Sequence, residues 1–266
     1  MTNAIILRDI REHWRPLLSW AITAAALISL QLSVYPTVRE SSAGLQQFIE
    51  QYPEVFKKVF RIQDYTSAPG YLGTELFSLM LPLVFIAVGA AWGAGFTAEE
   101  EEQGTADLLF ALPVSRLRVL LAKSAAAFSS LIAVGVVCLS TLAIGTRWVD
   151  MSIGWRRLAA GTAVCVALGA LFCALGALLG AAIGRKGAAL GISVGLALAM
   201  FVLYSLAPLV DTFDTVLPYN PFQWTLGSNP LTTTFTAGSL IKPLAVAAAA
   251  LAGAVAVFQR RDLRQL

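Results

Sequence analysis

Six stretches of the chain carry no charged side chain, and each is close to the length of a bilayer crossing: residues 16–38, 76–98, 124–146, 158–184, 187–210 and 243–259. A hydrocarbon core of about 30 Å is crossed by about 20 helical residues, each rising about 1.5 Å. In lipid a loop or an open strand leaves its amides without partners, so apolar runs of this length span as helices. The last run is the shortest, and Lys242 at its start can reach the headgroups along its methylene stem. The pattern predicts an all-α membrane protein of six transmembrane helices, a single unit over residues 1–266.

Composition narrows the function classes. Only 13% of the 266 residues are charged and 57% are hydrophobic. A soluble chain carries about a quarter charged residues, so too little polar surface is left here for a soluble enzyme. The net charge of +3 is scattered through loops, with no basic patch interleaved with aromatics, and nucleic acid is not expected as a partner. Cys138, Cys165 and Cys173 lie inside apolar runs and read as small buried hydrophobes. The single histidine, His13, stands beside Trp14 with no second ligand in reach, which suits an interface-layer residue and no metal site.

A seventh uncharged run, 215–241, is broken by Pro218, Asn220, Pro221, Gly227, Asn229 and Pro230. Residues 211–242 therefore read as an outer connector, a surface or re-entrant hairpin before the sixth helix. An even number of spans puts both termini on one side. With the termini cytoplasmic, the inner segments hold Arg8, Arg11, Arg15, Arg116, Arg118, Lys123, Arg185, Lys186, Arg260, Arg261 and Arg264, which is 11 of the 19 Lys and Arg. Arg147, Arg156 and Arg157, between the third and fourth spans, run against this assignment. A cleaved signal peptide is the competing reading of the first span, but its long basic lead-in and the lack of a small-x-small site after Leu32 favour a retained anchor.

Three glycine rows recur at four-residue intervals: Gly89 and Gly93; Gly176, Gly180 and Gly184; Gly187, Gly191 and Gly195. Such rows let helices touch closely, either within one chain or between subunits, and spacing alone does not separate the two. In the outer loop, 36–75, Phe48, Tyr52, Val55, Phe56, Val59 and Phe60 repeat at helical spacing beside Lys57, Lys58 and Arg61. This is an amphipathic helix, lying in the headgroup layer or capping the bundle.

The richest segment is the inner connector, 97–118. Glu99, Glu100, Glu101 and Glu102 are followed by Gly104, Thr105, Asp107, Leu108, Leu109, Leu112, Pro113, Val114, Ser115 and Arg116. Thr105 can cap a short helix, Asp107 suits the positive end of its dipole, and Pro113 stops it after about two turns. A helix this short is marginal in water and needs a surface to pack on. Read from the residues alone, a glutamate run is more often a solvated, charge-rich helix end with no partner.

The same order of residues, an acidic cluster, Gly-Thr, Asp, Leu-Leu, Pro-Val-Ser-Arg and then Lys123, resembles the permease subunits of type-2 ATP-binding-cassette (ABC-2) transporters. The likeness extends along the chain to the basic lead-in of residues 1–16, the long first outer loop, the hairpin before the last span and the tail from Phe258 to Leu263. It implies that Glu99 to Glu102 and Thr105 to Leu112 form a coupling helix seated on a separate ATPase subunit. The lead-in around Arg8, Arg11 and Arg15 would touch the same partner along the inner face. It further implies two permeases, identical or homologous, with two ATPase copies that bind the ATP and Mg, and a multi-pass place in a prokaryotic cell membrane. This chain has no Gly-x-x-x-x-Gly-Lys-Ser/Thr and no cofactor of its own is expected; the nearest stretch, Gly184-Arg185-Lys186-Gly187, follows no strand.

Other classes fit less well. A secondary transporter or channel would place ionisable groups at mid-depth, and the spans lack them there. An intramembrane enzyme would need a base near Ser129, Ser130, Ser140 or Ser193, and none is present in the runs that hold them. Walls of Ala, Leu, Gly and Val with Trp92, Phe128 and Tyr204 suit export of a lipid-like, drug-like or otherwise amphipathic substrate. They also suit a permease that transmits force to an extracytoplasmic partner in metalloenzyme maturation.

Overall fold

The computed structural model describes residues 2–41, 44, 51–53, 65, 67–102, 116–227, 229, 231–233 and 235–260. These form an all-helical bundle, and six helices are long and apolar enough to cross a membrane. The first is α1 (Thr2–Glu40). The second begins as α2 (Ala68–Leu72), passes through a π-helical stretch (Gly73–Met80) and continues as α3 (Leu81–Glu102). Then come α4 (Arg116–Trp148), α5 (Trp155–Ile183) and α6 (Lys186–Leu206). A short α7 (Pro221–Leu226) precedes the last span, α8 (Gly238–Arg260). Each span coincides with the apolar run expected of it, although α5 ends at Ile183 and α6 at Leu206, short of the last residues of their runs.

The hub is α5, which packs on α3, α8, α4 and α6. Its closest partner is α3, and the reason is side-chain size. A Cβ on Gly93 would collide with the Cys173 carbonyl oxygen, and one on Gly176 would stand 2.9 Å from the Ala90 carbonyl oxygen. Two backbones can approach this closely only where side chains are absent, and dispersion then replaces the hydrophobic driving force that lipid cannot supply. Gly89 meets the Gly169 carbonyl in the same way, and Gly180 meets the Ala94 carbonyl. Gly187, Gly191 and Gly195 on α6 have nothing within 4 Å and face outward. Gly184, spaced as a member of the α5 row, ends that helix in the left-handed region (φ 69°), where glycine alone pays no Cβ penalty.

Two boundaries differ from the sequence reading. The lead-in and the first span are one continuous helix that runs through Pro16. The second span starts eight residues before Leu76, at Ala68, where Ser67 caps it by accepting from the Gly70 N–H at 3.1 Å. The added turn brings Glu75 into the helix, where its Oε1 accepts from the Tyr65 hydroxyl at 2.6 Å. Burial first, then that bond and the Glu75 charge, push the Tyr65 phenol above its ordinary range.

The connector before the last span folds into the bundle. Asn220 caps α7 by accepting from the Phe222 N–H, and its amide donates to the Met200 carbonyl at 2.8 Å. Phe222 is fully buried against Phe201, Tyr204 and Phe172. The element before the last span is thus a short helix packed on its neighbours through Phe222. In the loop at 36–75, the amphipathic repeat from Val55 to Arg61, together with Phe48, lies outside the described residues.

Candidate functional site at the root of the inner connector

The acidic run is the last turn of α3, which continues through Glu102. Carboxylates at a helix C-terminus face the negative end of the dipole and need compensation. It comes from the start of α6. Lys186 Nζ lies 2.9 Å from Glu99 Oε2, and the Lys186 backbone N–H donates to Glu102 Oε1 at 2.9 Å. The second bond is a cap supplied from another helix. Arg185, the residue before α6, offers no side-chain cap, and a carboxylate on the first N–H of a helix meets the positive end of its dipole. One residue therefore holds both glutamates, and the end of the second span is clasped to the junction of the fourth and fifth.

Glycine again makes room. A Cβ at Gly95 would stand 2.8 Å from Glu99 Oε2, so the absence of a side chain there lets the carboxylate fold back toward Lys186. Glu99 and Lys186 also border a cavity of about 160 Å³ with His13, Trp20, Trp92 and Lys123. The His13 ring lies 5.6 Å from that of Trp92, and Lys123 on α4 is 8% exposed. The lead-in helix, α3, α4 and α6 thus meet around this polar pocket.

Of the residues expected to face a partner, the structure brings Glu99 and Glu102 together through Lys186. Arg11 and Arg15 are exposed on the first helix, and the Arg15 guanidinium sits 5.5 Å over the Trp14 ring. The side chains of Arg8, Glu100, Glu101 and Arg116 lie outside those described, as do Gly104, Thr105, Asp107, Leu108, Leu109, Leu112 and Pro113. Lys186 and Lys123 were missed as site residues. Both appear in the sequence as inner-side cations, but nothing local pairs position 186 with positions 99 and 102.

The described residues thus form a six-helix apolar bundle whose second span ends in a clasped acidic cluster. Residues 3–263 match the family model described as ABC-2 family transporter protein, and the chain belongs to that family. Its members are transport components that work with an ABC ATPase. No curated protein matches the chain.

Proposed function

We propose that this permease pairs with a second copy, or with a homologous permease, to enclose a path across a prokaryotic cell membrane, and that two separate ATPase subunits binding ATP and Mg drive it. The termini and residues 97–118 face the cytoplasm in this reading. Thr105 to Leu112 form the coupling helix, with Glu99 to Glu102 and the lead-in arginines Arg8, Arg11 and Arg15 beside it. The observation that carries the reading is the Lys186 clasp. It ties the root of the connector to the first turn of α6, so a tilt imposed on the connector reaches two spans as a rigid-body movement. The outward row Gly187, Gly191 and Gly195 supports a second copy packing on α6. The apolar spans favour export of a lipid-like or drug-like amphipathic substrate.

The test is charge reversal at the connector. The double variant Glu100→Arg, Asp107→Arg inserts and folds as the parent does but loses stimulation of the co-purified ATPase, read as phosphate release in proteoliposomes. Stimulation at the parental level would remove the coupling role from this segment.

A further inference from the structure

An apolar groove of about 550 Å³ opens on the side of the bundle between α4, α5 and α8. Its floor is the small face of α5, where Ala163, Ala167 and Ala170 lie, and its walls include Ile132 and Val136 on α4 and Leu244 on α8. Ile132, Val136 and Leu244 are about half exposed, so the groove faces the lipid and not the centre of the bundle. The polar side chain in its lining, Thr162, donates its hydroxyl back to the Leu158 carbonyl at 2.9 Å, so it offers the groove no donor. Such a space does not hold ordered water, which needs two or more polar partners.

Along α5 the groove runs from Ala159 to Ala170, eleven residues or about 17 Å. That is close to one leaflet of hydrocarbon, about 15 Å. The end nearer Ala159 meets the turn at residues 149–154, flanked by Trp148 and Trp155, which are 84% and 67% exposed, as tryptophans at a headgroup layer are. Arg156 precedes Ala163 and Ala170 at seven-residue intervals and so crowns the same stripe of α5. Arg147 follows Val136 by eleven residues, three turns along the same face of α4. Both arginines are exposed, and among the described residues no carboxylate pairs with either. These are the cations that run against the charge rule for orientation.

We infer that this groove binds one acyl chain of an anionic phospholipid from the leaflet on the side of the 149–154 turn, with the phosphate held by Arg156 and Arg147. The length of the groove, its dryness and the cations at its headgroup end each select part of the same molecule. The inference requires only that the six helices cross a bilayer. It does not depend on the ATPase coupling or on any transported substrate.

The experiment uses the full chain with its co-purifying subunits in nanodiscs. Two probes are compared, phosphatidylglycerol and phosphatidylcholine, each carrying a diazirine near the end of one acyl chain. Photolysis and peptide mapping are expected to label α4, α5 and α8 at the deep end of the groove, around Leu131, Ala170 and Leu251, with phosphatidylglycerol favoured by up to about 25-fold, since each of the two arginines near a surface favours an anionic lipid by about fivefold. The surface variant R147Q/R156Q keeps the fold and the labelling position but loses the preference. Ala163→Trp fills the groove and loses the labelling; should it not fold, the arginine variant still decides. Equal labelling by the two lipids, or labelling spread over all six helices, would overturn the inference, as would disulfide cross-linking of two copies through Val136→Cys.

Discussion

The glycine rows of α5 and α6 look alike in the sequence and behave oppositely in the fold. Gly176 and Gly180 on α5 lie against the Ala90 and Ala94 carbonyls of α3, and those helices touch backbone to backbone. Gly187, Gly191 and Gly195 on α6 have nothing near them, while the opposite face of the same helix, Ala189, Ser193, Ala197 and Tyr204, is buried. A row of small residues thus marks a helix face able to be approached closely, and says nothing about what approaches it. Position in the bundle makes the difference: α5 is surrounded by four helices, whereas α6 sits at the edge.

The strongest way to break the comparison is to put the same side chain into both rows. Gly93→Leu drives a branched chain into the Cys173 carbonyl, which is backbone and cannot swing aside. We expect a cost of about 3 kcal/mol and loss of most folded protein in detergent, read by thermal unfolding. A melting curve like the parent's would mean that α3 and α5 do not touch here. Gly191→Leu is expected to leave that curve within about 0.5 kcal/mol, because the site is open. It should instead reduce association of two copies, measured by native mass spectrometry. Association at the parental level would assign this row to lipid.

A similarly small effect on stability is expected at the clasp. Lys186→Gln removes the ion pair with Glu99 but keeps the backbone bond to Glu102, and both charged side chains are about a third exposed. Solvent screening limits the loss to about 0.5 kcal/mol. ATPase stimulation should fall by much more than stability does. A double-mutant cycle with Glu99→Gln checks the pairing, and additive effects would show that the two residues act separately.

Periodicity and the absence of charge located all six spans, because a backbone in lipid has one local solution and the signal for it is contained in each run. Boundaries were less legible. Nothing before Leu76 is apolar enough to announce a span, yet the Ser67 cap and the π-helical turn extend the helix outward. Pro16 looked like the end of a lead-in and is accommodated inside α1. The acidic cluster was evident as a motif, but its partner was not, since Lys186 comes 87 residues after Glu99.

The sequence by itself determined the class of solvent this chain lives in, the number of helices that cross it and the residues at which they can approach. Each of those follows from free energies that act residue by residue. Only the tertiary structure decided which glycine row is filled, that Glu102 caps α6, that α7 packs on the bundle and that α4, α5 and α8 leave a groove between them. Those outcomes depend on which helices become neighbours, and between antiparallel spans of similar apolar surface that choice is made by close packing across long separations in the chain.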